Sequence, residues 1–427
     1  MDAAYLKKVK DLSDELVKIQ TPIRILDCIK WGDDIKVQFF KDSCQKQPKL
    51  SPDYYKKNIA FNIDAKADEF LFFARKVEQQ LGKMNTVAQM LRRMCQEYAL
   101  VLRMLKGCGT PDFSRLAQLL YGSSKDVFHE GDPNITQLGS LMAGAIAKID
   151  KHNLLEEEPR TITAEKAVIV LQKKLAKHFH DSDQNLRVLI SDGIVSDAAA
   201  GADYIKLRRD ALFNKRDLRL LEIHEGMVHI GTTLNGLLQP YCTFLGKGPP
   251  SATITQEGLA VLMEILSFAS YPARIKKLAN RIRAIELAED GATFLDVYRY
   301  FLNEGYVPEQ AYGATTRVFR GSMPDMGPFT KDLAYSKGFV MVYNFIQLCV
   351  KKGELGLIPL LFCGKAKLED IRDIARLVEE GVIKKPKYLP PQIKDLNAIS
   401  AWMCFASFIN LLNSEKIESD YDYLFDS

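Results

Sequence analysis

Residues 217–236 read DLRLLEIHEGMVHIGTTLNG, and after a loop residues 251–266 read SATITQEGLAVLMEIL. Two of the chain's six histidines, His224 and His229, fall in one six-residue window with Glu225 beside the first, so the run spells H-E-x-x-x-H in apolar, helix-like surroundings. It is one residue longer than H-E-x-x-H, in which histidines at i and i+4 face one metal while the glutamate activates its water. The extra residue changes the geometry. At about 100° per residue, positions i and i+4 lie about 40° apart around a helix, whereas i and i+5 lie about 140° apart. One reading is a regular buried helix with diverging rings. The other is a π-type bulge, which absorbs one residue and returns both rings to one face. Gly226 lowers the barrier to that distortion.

A catalytic zinc takes a third protein ligand and keeps one position open. Glu257, in TQEGLA (255–260), is the candidate: Thr253 and Gln256 can form a capping box, which puts Glu257 in the first turn of the next helix. Glu264 competes for the role, because seven residues make nearly two turns and bring it to nearly the same face. Asn214 and Asp217 can cap the first helix, which should end at Asn235 and Gly236 before Pro240. LGKGPP (245–250) then makes a rigid loop without the spacing of a phosphate loop.

QEGLA with HExxxH upstream resembles the bacterial QEGLA-motif family of unknown-function proteins, which is similar to the microtubule-associated tyrosine carboxypeptidases of animals. The likeness extends through DYYKKNIAF (53–61), SDGIVSDAAAGADYIKLRRDALF (191–213), TTLNG (232–236), RVFRG (317–321) and FTKDLAYSKG (329–338). By that resemblance His224, His229 and Glu257 match the ligands of one zinc ion, Glu225 matches the catalytic glutamate, and the substrate is a protein or peptide C-terminus.

Composition sets bounds. A chain of 427 residues that is 47% hydrophobic can bury a full globular core. Its net charge of +4 comes from 58 basic and 54 acidic residues spread throughout, which is not a nucleic-acid footprint. The eight cysteines lack CxxC spacing and sit mostly in apolar helical surroundings, as buried free thiols do in a reducing compartment. The N-terminus is amphipathic and carries acids, unlike a secretory signal. No uninterrupted apolar run reaches the roughly 20 residues of a membrane span; the nearest, 339–350, contains Asn344 and Gln347. A soluble cytoplasmic protein without a membrane partner is expected, its oligomeric state left open.

The expected fold class is α+β, predominantly α-helical. A zincin-like metallopeptidase core (159–365) carries a small sheet beside the HExxxH helix, between an N-terminal helical region (1–158) and a C-terminal one (366–427). Apolar residues recur at three and four over 65–81, 87–105 and 112–121. His129 and His152 read as solvated loop residues, 156–158 as a charged linker, and His178 and His180 as a helix C-terminus. Residues 186–191 and 204–208 read as strands around a Gly- and Ala-rich turn. Tyr204–Arg208 then offers either a sheet edge to which a peptide can add or an ordinary hairpin.

Further on, Arg317, Arg320, Lys331 and Tyr335 gather around the loop 321–328. Solvated helix-end charges are one reading. A pocket for a terminal carboxylate is the other, since Arg holds a carboxylate in a bidentate pair. In the hydrolytic reading Glu225 is the base, with Tyr335 or Tyr204 donating to the oxyanion. An endopeptidase or aminopeptidase, or a metal-retaining scaffold without turnover, is the competing reading. The tail 415–427 is acidic and expected to fray.

Overall fold

In the computed structural model, residues 2–150, 158–181, 186–194, 196–201, 203–421 and 424 are described. His152 and most of the 156–158 linker lie outside them. The structure is mostly helical with a small sheet. Helices Ile63–Leu81, Thr86–Lys106 and Pro111–Tyr121 match the periodic stretches of the N-terminal third. Asn62 and Asn85 cap the first two by accepting from the backbone three residues on. Phe70 stacks on Tyr98 with ring centroids 5.1 Å apart, which ties the first pair together.

One apolar cluster joins Val9 and Leu16, this helical region, Ile223 and Met227 of the HExxxH segment, Leu259 and Leu262 beyond it, and Ile371 to Met403 at the C-terminal end. A second cluster lies under the small sheets and includes Leu171, Ile205, Phe213 and Leu234.

Strands β1 (Ile162–Thr163) and β5 (Leu212–Phe213) pair antiparallel, while β2 (Arg187–Ser191), β3 (Ala198–Ala200) and β4 (Tyr204–Arg208) form a sheet in the order β2-β4-β3. Two expectations change here. β2 and β4 run parallel, Arg187 facing Tyr204, so they are no hairpin. β4 is the central strand, and the edge is β3, formed inside the stretch read as a turn. Alanines have weak strand propensity, and it is pairing to β4 that makes them extended.

The QEGLA helix spans Ala252–Leu266, and Ala334–Lys352 crosses it. A methyl on Gly258 would stand 2.1 Å from the Gly338 carbonyl carbon, and one on Gly338 would stand 1.9 Å from the Ile254 oxygen. Two glycines therefore let the backbones touch, and that contact holds the Lys331 to Tyr335 turn against Glu257. Thr330–Lys352 matches a membrane span in length and mean hydropathy, more than the interrupted run 339–350 promised. Here it is a packed helix: Gly338, Val342, Ile346 and Cys349, spaced at three and four, are buried. Within the acidic tail Ser414–Tyr421 is helical, and of residues 422–427 only 424 is among the described residues.

Candidate metal centre

Asn214 accepts from Asp217 N at 2.8 Å and its own N donates to the Asp217 carboxylate at 3.0 Å, a capping box that opens the helix Lys215–Leu221. The next nine residues, Glu222–Ile230, form a π helix, and α geometry resumes over Gly231–Leu237. Gly231 N donates to Gly226 O, five residues back. The wider turn does what the spacing of the motif requires. The two imidazoles stand edge to face, their centroids 4.8 Å apart. Glu222 anchors the start of the π segment, held by Lys174, by His178 at 2.7 Å and by Arg219. Burial alone would raise its pKa, yet these partners bring it down to about 2.

Ligand-capable atoms of His224, His229 and Glu257 all lie within 4.8 Å of one another, and no other such group of three occurs among the described residues. Glu257 Oε2 is 3.3 Å from His224 Nε2 and 3.5 Å from His229 Nε2. Bonds of about 2.0–2.1 Å to a tetrahedral cation put neighbouring ligand atoms about 3.3–3.4 Å apart, so both contacts have the length of a tetrahedron's edge. That oxygen is buried and accepts no hydrogen bond. An orphaned carboxylate oxygen between two imidazole nitrogens is costly, and a shared cation would satisfy it. Burial pushes the Glu257 carboxyl up, but the two imidazoles and Lys331 hold it well below the usual range. Burial likewise disfavours charge on His224, which Glu257 and Glu264 outweigh, raising its pKa.

Glu257 sits in the second turn of its helix, because the helix begins at Ala252 after a Ser251 cap that makes no side-chain hydrogen bond; the Thr253 and Gln256 box does not form. Gln256 instead accepts from Thr232 Oγ1 at 2.7 Å, tying the two helices together. Glu264 stands behind His224 and is fully buried, its Oε1 2.6 Å from Nδ1, with Arg274 donating to both of its oxygens at 2.9 and 3.0 Å. A carboxylate there fixes ring orientation and presents Nε2 as the acceptor. Glu225 is half-buried, and its Oε2 accepts from Ala200 N of the β3 edge at 2.9 Å.

Tyr204, Glu225, Arg317, Arg320, Lys331 and Tyr335 all line one cleft of about 840 Å³ with the three ligand candidates. Their commitments differ. Arg317 makes a bidentate pair with Asp332 at 2.7 and 2.8 Å, and Lys331 Nζ lies 3.6 Å from Glu257 Oε1. Arg320 is buried over the Phe329 ring, its Nε has no partner, and burial with the neighbouring Arg317 charge pushes its pKa down to about 10. Tyr335 lies 6.2 Å from the His224 ring, with the Arg281 and Arg274 guanidiniums over its own ring at 4.4 and 5.7 Å. Tyr204 folds over Gly201, where a methyl would meet its ring at 2.3 Å.

Sequence reasoning missed Lys277, Arg281 and Lys365, which line the same cleft. Arg274, Lys277 and Arg281 recur at three and four along Pro272–Glu289, so a cationic helix face was there to be read. Of these, Arg274 is held by Glu264, whereas Arg281 lies 3.8 Å from Asp332, the carboxylate paired with Arg317, and its Nη1 is also buried without a partner.

No curated protein matches the chain. A family profile described as microtubule-associated tyrosine carboxypeptidase matches residues 37–411, a span that holds every residue of this centre and its cationic wall, and the chain therefore belongs to that family.

Proposed function

We propose that the chain is a zinc-dependent carboxypeptidase that removes C-terminal residues, tyrosine-type, from proteins or peptides. The observation that carries the reading is the unsatisfied Glu257 Oε2, set at tetrahedral spacing from His224 and His229 and facing a cleft whose far wall has unpaired guanidinium N–H groups. His224, His229 and Glu257 would hold one zinc ion, which when bound supplies Lewis-acid polarisation of a carbonyl and acidifies water. Glu225 takes the proton of the attacking water, with Ala200 N–H fixing the carboxylate toward the cleft. Tyr335 donates to the developing oxyanion. Arg320 pairs with the terminal carboxylate, while Arg317, chelated by Asp332, shapes the wall; this sets the scissile bond one residue from the centre. The zincin-like core of this reading has the edge strand β3 beside the π helix, where a peptide can add as a further strand.

The cationic wall disfavours the aminopeptidase alternative, whose substrate brings an ammonium group. Metal analysis of the purified chain with cleavage of one peptide offered with a free and an amidated C-terminus tests the proposal. Stoichiometric zinc and a strong preference for the free carboxylate are expected. Equal cleavage of both forms would transfer the reading to an endopeptidase, and zinc without cleavage of either would make the chain a metal-retaining scaffold.

A further inference from the structure

The sequence offers His178 as no more than a helix C-terminus, yet in the structure it stands against Glu222, the first residue of the π segment. π turns are rare and usually single. Here the segment runs for nine residues. The chain's own hydrogen bonding favours the α form, so the wider register has to be imposed by neighbours. An α register over the same residues would set the two imidazoles about 140° apart.

Two clamps impose the π register. Glu222 is 4% exposed and turns its carboxylate to the helix Ala164–His178, where His178 Nε2 lies 2.7 Å from Oε1 and Lys174 Nζ donates to Oε2. Lys174 and His178 stand one turn apart on that helix, and the adjoining row, Leu175 and Phe179, packs on Gly226 and Gly231. A methyl on Gly226 would stand 2.8 Å from Leu175 Cδ2, and one on Gly231 3.9 Å from the Phe179 ring. At the far end Asn235, 1% exposed, commits its whole side chain to backbone outside its own helix. Its Nδ2 donates to Phe362 O at 2.8 Å and Tyr388 O at 2.7 Å, and its Oδ1 accepts from Lys387 N at 2.9 Å and Tyr388 N at 2.8 Å. Each clamp fixes the rotation of its end of the helix. With both ends held, the extra residue between His224 and His229 cannot be lost by a return to α geometry.

We propose that Glu222 is a positioning residue for the metal centre: gripped by Lys174 and His178, it keeps the π register against Asn235 and so keeps both imidazoles on one cation. This rests on the metal centre proposed above. Arg219, the third partner of Glu222, cannot share the task, because it lies three residues back on the same helix and turns with it.

Zinc affinity of the full chain, measured by competition with a chelator, tests this. Lys174→Met/His178→Ala is expected to weaken binding by about 10- to 100-fold with circular dichroism unchanged, and Lys174→Arg/His178→Ala, which keeps a donor on the same helix, to recover most of the loss. Arg219→Met, which removes a cation from the same carboxylate but not the link between helices, is expected to bind like wild type. An equal loss in Arg219→Met would make the charge around Glu222 the cause and overturn the inference, as would wild-type affinity in Lys174→Met/His178→Ala. Deletion of Met227 gives a second arm, since the chain then spells H-E-x-x-H, which an ordinary α helix serves. In that background Lys174→Met/His178→Ala is expected to change affinity by less than about threefold, and a loss as large as in the full chain overturns the inference. A chain that binds zinc and cleaves no peptide would defeat the carboxypeptidase reading alone, whereas a wild type that binds no zinc overturns both.

Discussion

The two walls of the cleft are built as opposites. On one, two imidazoles and a carboxylate converge, and the atom left unsatisfied is an acceptor, Glu257 Oε2. On the other, Arg281, Arg317 and Arg320 gather around Asp332 with Lys277 near the first two, and the unsatisfied atoms are donors, Arg281 Nη1 and Arg320 Nε. A buried polar atom without a partner costs about 1–3 kcal/mol, so each wall is strained until something of the opposite kind arrives. The first calls for a cation and the second for an anion. In the proposed function a peptide end brings the carboxylate and places its carbonyl between them.

The sharpest way to break this comparison is to disable the chemistry and leave both walls standing. Glu225→Gln should cut peptide cleavage by about 10²- to 10⁴-fold with zinc content unchanged. Full activity in that variant would remove Glu225 from the mechanism.

The acceptor wall is separated from its support by two carboxylates on one helix. Glu257→Ala should abolish stoichiometric zinc, whereas Glu264→Gln should keep it at about 10- to 100-fold lower affinity, because Glu264 acts through His224. Zinc retained in the first variant and lost in the second, measured by metal analysis, would exchange their roles.

The donor wall should divide in the same way. Arg320→Met is expected to lower kcat/KM for free-carboxylate peptides by about 10- to 100-fold, the scale of a charged hydrogen bond of about 1.5–3 kcal/mol, and to leave amidated peptides unchanged. Arg317→Met should instead show up in thermal unfolding, since it strands the buried Asp332. If Arg317 governs carboxylate selection and Arg320 stability, the assignment of the two is reversed.

The smallest expected effect is on pH. Desolvation in the wall, with Arg281, Arg274 and Arg317 near, brings Lys277 down to about 8 despite Asp197. Its charge is therefore present below that value and lost as pH rises through it. Inhibition by a free-carboxylate product should weaken several-fold between neutral pH and pH about 9, and Lys277→Met should flatten the change. The same depression means that protonating Lys277 costs folding stability below its unfolded pKa, so wild-type stability should rise between about 8 and 10.5 relative to Lys277→Met. A parallel pH profile in the variant would show that Lys277 does not contribute.

The parts of the site that were legible in the chain are those whose partners lie within one helix. The five-residue interval from His224 to His229 demanded a widened turn if both rings were to meet, and Glu222–Ile230 is π-helical. The Asn214 and Asp217 box was readable for the same reason. Failures fall where partners come from elsewhere. Thr253 and Gln256 had the spacing of a box, but Thr232 on the neighbouring helix claims Gln256. Periodicity alone left Glu264 open as a competitor to Glu257, and it is Arg274 and the Nδ1 side of His224 that engage it. β4 looked like the edge because Ala198–Ala200 has no strand signal of its own.

By itself, the sequence determined the helical class, the candidate ligand set and the need for a π turn, because hydrophobic period and residue interval act locally along a helix. Only the tertiary structure decided which carboxylate meets Nε2 and which meets Nδ1, and which arginine is spent on Asp332. It also decided that the glycines of QEGLA and YSKG touch. The physical reason is range: a charge or a backbone contact is settled by whatever lies within a few ångströms, and here those neighbours stand 10 to 80 residues away in the chain.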